Sequence, residues 1–79
     1  MNVTQMKQLE KVVIIEIHGD KNFINKLDSM GIRLGVKIIK ISSQILHGPV
    51  TIQVGSTQIA IGYNTAKRII VEKEEVWKK

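Results

Sequence analysis

One short helical pattern, at residues 22–35, interrupts a chain whose other segments are typical of β-strands. Apolar side chains recur at helical spacing on one face of this helix, at Phe23, Leu27 and Met30, and Ile24 lies beside them. Asp20 or Asn22 provides a side-chain oxygen that can cap its start, and Gly31 follows the last periodic residue, where helices commonly end. Because so short a helix is marginal alone in water, we expect it to pack against the strands.

Segments rich in branched aliphatic residues are predicted to be strands: 11–17, 36–41, 50–54, 57–61 and 69–71. The first is apolar on both faces, so we expect both faces to be covered. The third alternates cleanly and reaches the fourth through Gly55-Ser56, which suits a type II′ hairpin. A helical turn at 65–68, capped by Asn64, is expected before the last strand.

The predicted fold class is mainly β: a small five-stranded barrel with one short α-helix after the first strand and a short helical turn before the last. A closed or nearly closed barrel is favoured because closure removes the strand edges that an open sheet of this size would expose. The chain of 79 residues is expected to form a single domain, 1–79, with its core at about 9–72. Residues 1–8 are predicted to be an irregular lead-in and 73–79 a charged tail.

The amino-acid composition indicates the cellular environment of the protein. The chain has no cysteine, and no apolar run approaches the length of a membrane span, so we expect a cytoplasmic protein without membrane insertion. Its net charge of +5 is dispersed along the sequence, which favours an ordinary solvated surface. The alternative is a basic small barrel that binds nucleic acid. That alternative lacks an aromatic platform, because Phe23 is predicted to be core, Tyr63 to lie in a turn and Trp77 in the tail.

No cluster of catalytic or metal-binding residues is recognisable. His18 and His47 stand beside glycines in predicted turns without nearby donors, apart from Asp20. Ser42 and Ser43 have no adjacent base, so a nucleophilic triad is not indicated. We therefore expect no enzyme activity, no bound metal and no cofactor.

Several short motifs together resemble those of the ferrous iron transport protein A (FeoA) family. They are KLxxMGIxLG at 26–35, GPVxIxV at 48–54, IAI at 59–61 and AxxIxV at 66–71, and the resemblance covers residues 11–71. It implies an SH3-like barrel and a small accessory protein of ferrous iron uptake. The implied partner is the membrane ferrous iron transporter with a cytosolic GTP-binding domain, and the implied mechanism is protein contact. Direct iron binding is not implied.

Apolar residues near the end of the helix and in the loop before Pro49 are the candidate partner contacts: Leu27, Met30, Ile32, Leu34, Ile45 and Leu46. Ile32 and Leu34 have an equally concrete alternative role, which is to plug the barrel end beneath the helix. The sequence also resembles the barrel domain appended to iron-dependent repressors, although no helix-turn-helix precedes it here. It does not fix the oligomeric state.

Overall fold

The computed structural model describes residues 1–43 and 47–74. In chain order the elements are a 3-10 helix at Val3–Gln5, β1 (Lys11–Ile17), α1 (Lys21–Ser29), β2 (Lys37–Ser43), β3 (Val50–Val54), β4 (Thr57–Ile61), α2 (Tyr63–Lys67) and β5 (Ile69–Lys73). The strands form one antiparallel five-stranded sheet in the order β4-β3-β2-β1-β5. The mainly β, SH3-like barrel predicted from the sequence is confirmed.

The buried residues of each strand lie on one face of that strand, and these faces meet in the core that the curled sheet encloses. The core consists of Val3, Met6, Val12, Ile14, Leu27, Ile32, Ile38, Val50, Ile52, Ile61, Ala66, Ile69 and Val71. Burying each of the larger side chains contributes about 1.5–3 kcal/mol to folding, before the loss of chain entropy is counted. Leu27 is the residue through which α1 enters this core, since it is the buried residue of that helix.

β1 is covered on one face, which corrects the expectation that both faces would be buried. Its pairing with β5 shifts register between Ile14 and Glu16, as at a β-bulge. The bulge inserts one residue, so Ile14 and Ile17 both pack towards the core and Ile15 is left 46% exposed. A second shift, between Lys40 and Ser42, interrupts the pairing of β2 with β3. Such bulges bend and twist strands, which helps a small sheet to curl.

The N-terminal residues are more ordered than predicted. Asn2 caps the 3-10 helix through a capping box with Gln5, and the buried side chain of Val3 follows directly. Asn2 also bridges Ile70, and the Val71 amide donates to the Met1 carbonyl over 2.7 Å. The N-terminus therefore covers the outer edge of β5. The sequence pattern had predicted no partner for this edge.

A buried lysine ties this N-terminal segment to the sheet. Lys40 lies on the core side of β2 and is 5% exposed. Its Nζ donates to the carbonyl of Met6 at 2.8 Å and to that of Thr4 at 3.3 Å. Burial lowers the pKa of the Lys40 ammonium, while the nearby Glu10 carboxylate acts in the opposite direction. Two backbone carbonyls thus replace the water that the ammonium loses.

The predicted helix caps agree with the structure at α1 and differ from it at α2. Asp20, not Asn22, caps α1, because its Oδ1 accepts from the Phe23 amide at 2.8 Å. The predicted cap of α2 is wrong: Gly62 is its N-cap, and Asn64 lies inside the helix. Gly55 has φ +62° in the β3–β4 hairpin, as a type II′ turn requires of its first central residue.

Candidate docking surface

The C-terminus of α1 ends in a Schellman motif that turns the chain sharply. Gly31 has φ +86°, a left-handed conformation that strains residues with a side chain. The Ile32 amide donates to the Leu27 carbonyl and the Gly31 amide to that of Asp28, both at 2.9 Å. The motif directs Ile32 into the core, where it is 0% exposed.

A second anchor holds the loop that follows. The Gly35 amide donates to the Ile14 carbonyl at 2.7 Å, and the Ile14 amide donates to the Val36 carbonyl at 3.0 Å. Between these two anchors Leu34 is 63% exposed, although it is a large apolar residue. The loop is fixed by backbone hydrogen bonds at both ends, so Leu34 is presented from a rigid support.

A groove of about 320 Å³ runs beside this loop and α1. Its lining residues come from β1, α1 and the loop: Ile17, Ile24, Asp28, Ile32, Arg33 and Leu34. Ile24 is 37% exposed, so the groove has accessible apolar walls on two sides. On the rim, Arg33 Nε donates to Asp28 Oδ1 at 2.7 Å. Both side chains of that ion pair are more than half exposed, so the pair adds little to stability.

The residues predicted as partner contacts fall into different environments. Leu34 is on the exposed surface, and half-buried Met30 faces the other side of α1, where it lines a separate pocket. Leu27 and Ile32 are 1% and 0% exposed, so they shape the surface from within the core. Ile45 and Leu46 lie outside the described residues, as does Trp77.

The structure adds Ile24 and Arg33 to the candidate surface. The sequence had placed Ile24 beside the buried helical stripe, and its position at the edge of that stripe is the signal that could have found it. Arg33 had no such signal, because its position on the rim depends on the turn at Gly31 and on the ion pair with Asp28.

The histidines are engaged with neighbours that the sequence did not pair with them. His18 Nε2 lies 2.8 Å from Glu16 Oε2, with both side chains largely exposed. His47 stacks on Tyr63 with 4.2 Å between ring centroids, and Lys67 Nζ lies 5.7 Å from the Tyr63 centroid. Over residues 1–43 and 47–74, His, Asp and Glu do not gather in groups of three that could hold a metal ion.

The other described aromatic ring, Phe23, is packed against the core, as predicted. The Arg68 guanidinium carbon lies 5.1 Å from its ring centroid, a cation–π distance. In the part of the chain that the structure covers, neither helix is long and apolar enough to span a membrane.

Comparison with known proteins agrees with this architecture. The FeoA domain family matches residues 1–73. The chain is 38% identical over 69 residues to a Methanocaldococcus jannaschii protein named "Putative Fe(2+) transport protein A", covering 87% of this chain and 82% of that protein. A crystal structure of an iron uptake regulatory protein (FeoA) superposes with a TM-score of 0.83 at 34% identity, covering 94% of this chain and 96% of the other.

A manganese-dependent transcriptional repressor shares the fold alone, with a TM-score of 0.85 at 16% identity. The superposition covers 94% of this chain and 41% of the repressor, so the barrel is one part of that longer protein. The FeoA domain family, in contrast, matches residues 1–73, and the M. jannaschii protein is 38% identical to this chain. These two similarities show a shared family and not the fold alone. This chain belongs to the FeoA domain family.

Proposed function

We propose that this chain is a cytoplasmic accessory protein of ferrous iron uptake that acts by contact with the membrane transporter, which carries a cytosolic GTP-binding domain. Family membership supports the link to iron transport, because the related proteins are named for Fe(2+) transport and iron uptake regulation. The proposed role contains no chemical step carried out by this chain.

The groove beside α1 is the observation that carries the proposal. Leu34 is 63% exposed on a loop held by hydrogen bonds at Ile14, and Ile24 forms an accessible wall opposite. Binding energy in protein interfaces concentrates in a few apolar or aromatic anchors that fill pockets, surrounded by a polar rim. The Arg33–Asp28 ion pair provides such a rim. A rigid anchor also loses less entropy on binding than a mobile one.

The test is a titration of the isotope-labelled chain with the isolated cytosolic domain of the transporter, followed by the full-length transporter in detergent. We expect amide shifts to cluster at residues 24–36 if the groove is the contact. Leu34→Glu places a charge in an apolar contact and is expected to weaken binding at least about tenfold.

Leu9 offers a matched control, because it is 65% exposed and is not among the residues that line the groove. Leu9→Glu makes the same chemical change and should alter the affinity less than about twofold, as is usual for surface substitutions away from a contact. Equal losses for the two variants would refute the groove as the contact. Absence of shifts with an active transporter would refute the proposed partner.

Nucleic-acid binding is the alternative that the basic net charge of +5 leaves open. It is distinguished by filter binding of DNA and RNA at two salt concentrations, since affinity carried by phosphate contacts falls steeply with salt. Salt-sensitive binding to nucleic acid, combined with no binding to the transporter, would favour this alternative.

A further inference from the structure

Among the residues that the structure describes, the outer edge of β4 has no partner, in contrast to the outer edge of β5. At β5 the N-terminus covers the edge, with Asn2 bridging Ile70. β4 is the other end of the sheet, and among residues 1–43 and 47–74 its one partner strand is β3. In residues 1–43 and 47–74 nothing donates to or accepts from the outward backbone groups of this strand. An open strand edge is a template for pairing with another chain.

The hairpin geometry identifies the unpaired groups. Val54 and Thr57 close a two-residue turn, and such a closing pair exchanges backbone hydrogen bonds. Hydrogen-bonded and non-hydrogen-bonded pairs then alternate along the ladder, so Gln58 and Ala60 direct their amides and carbonyls away from β3. Both residues are exposed. The edge therefore offers two successive donor and acceptor pairs to an added strand.

An apolar pocket lies beside the same edge. Its volume is about 340 Å³, and it is lined by Phe23, Lys26, Leu27, Met30, Ala60, Ile61, Gly62 and Thr65. The pocket is separated from the groove of Leu34 by α1, since Ile24 and Asp28 line the groove while Phe23 and Met30 line the pocket. Alternate side chains of an added strand would point towards it.

The positive charge beside the pocket favours an extended segment that carries an acidic side chain. Among the described residues that line it, Lys26 is the ionisable one and none carries a carboxylate. Asp28, the nearest acidic residue along α1, is paired with Arg33 on the opposite side of the helix. A partner carboxylate would therefore meet Lys26 without competition from Asp28.

We propose that the outer edge of β4 binds an extended segment of a partner protein as an added strand. The segment carries alternate apolar side chains, which enter the pocket at Met30, and an acidic side chain that pairs with Lys26. Backbone hydrogen bonds at Gln58 and Ala60 supply the attachment, and the pocket and Lys26 supply the selectivity. This surface is distinct from the groove at Leu34, so the proposal does not depend on the partner named for that groove.

The probe is an acetylated and amidated hexapeptide with valine at alternate positions, threonine between them and an aspartate at one end. Titrated into the labelled full chain, it is expected to shift the amides of Gln58, Ala60 and Met30. Two further peptides carry N-methyl groups on alternate amides, one set in each register. If the peptide forms a β-ladder, one N-methylated peptide keeps its affinity and the other loses it at least about tenfold, because only one set of amides faces β4.

Variants of the protein test the same model from the other side. Ala60→Pro removes an outward amide while leaving the hydrogen bonds to β3, and is expected to abolish peptide binding. Lys26→Glu should weaken binding about two- to fivefold, the effect typical of one exposed ion pair. If Ala60→Pro unfolds, the N-methylated peptides still test whether the peptide binds as an added strand, because they leave the protein unchanged.

Equal affinity for both N-methylated peptides would refute the added strand, as would shifts confined to other parts of the chain or no binding at millimolar peptide. Sedimentation velocity supplies the remaining outcome. A dimer that the peptide dissociates would assign the edge to a second copy of this chain and overturn the proposed partner segment.

Discussion

Replacing Gly31 tests whether the turn at the end of α1 depends on a left-handed residue. A Cβ built on Gly31 meets only Val54 Cγ1 at 3.6 Å, an ordinary contact, so Gly31→Ala creates strain and no clash. A non-glycine residue in this conformation costs about 1–2 kcal/mol, of which about 0.4–1 is offset by lost freedom in the unfolded chain. We expect the free energy of unfolding to fall by about 0.5–1.5 kcal/mol for Ala. Gly31→Val should lose more than about 1 kcal/mol, since β-branched residues tolerate positive φ poorly.

The assay is thermal unfolding followed by circular dichroism, in which such a loss lowers the Tm by about 2–12 °C for a domain of this size. Gly62→Ser is the control of opposite sign. Gly62 has φ −67° and lacks a side-chain cap for α2, and a Cβ there meets nothing within 4 Å. Serine is therefore expected to stabilise by about 0.5–1 kcal/mol. An unchanged Tm for Gly31→Ala would refute the argument that a side chain at this position is strained. A lower Tm for Gly62→Ser would refute the argument that the effect of replacing a glycine depends on its φ.

Two further substitutions probe other parts of the fold. Gly19→Ala should cost about 1–3 kcal/mol, because the new methyl group would overlap the Phe23 ring, whose Cγ lies 3.0 Å away; thermal unfolding and the resonances of Arg68, which sits over that ring, report it. Burial holds the pKa of Lys40 below 10.5, so the unfolded state binds more protons as the pH approaches 10.5 and the stability contributed by Lys40 rises over that range. Denaturant unfolding should therefore show that the free energy of unfolding of wild type, relative to that of Lys40→Met, is higher at pH 10 than at pH 7. An equal difference between the two proteins at both pH values would contradict this.

Features set by local chemistry were predictable from the sequence. The end of α1 follows from Gly31 after a periodic apolar stripe, and the hairpin follows from Gly55 between two alternating segments. The strand ranges of β1, β3 and β4 agree with the predicted 11–17, 50–54 and 57–61. In each case the residues that determine the structure are neighbours in the chain.

Features that depend on distant contacts were not predictable. Lys40 looks like an ordinary exposed lysine between isoleucines, and its burial follows from carbonyls at Thr4 and Met6, more than thirty residues away. The bulge at Ile15 likewise arises from pairing with β5, so alternation alone assigned that residue to a covered face. Local spacing could not decide such positions.

The candidate surface was predictable in part for the same reason. Ile32 and Leu34 have the same chemical character and are two residues apart, so the sequence left both the exposed and the buried role open for each. The Schellman turn and the hydrogen bond from Gly35 to Ile14 separate them, with Ile32 in the core and Leu34 at the surface.

The pairing of β1 with β5 has a consequence for synthesis of the chain. Ile17 pairs with Ile69, so the strand made first on the ribosome waits for the strand made last. At 5–20 residues per second the delay is about 3–10 s, during which the edge of β1 that β5 later covers has no native partner. Contacts this distant in sequence also slow folding after release. The apolar run Val12–Ile15 lies on that unpaired strand, and an apolar strand that is transiently exposed during folding is prone to aggregate.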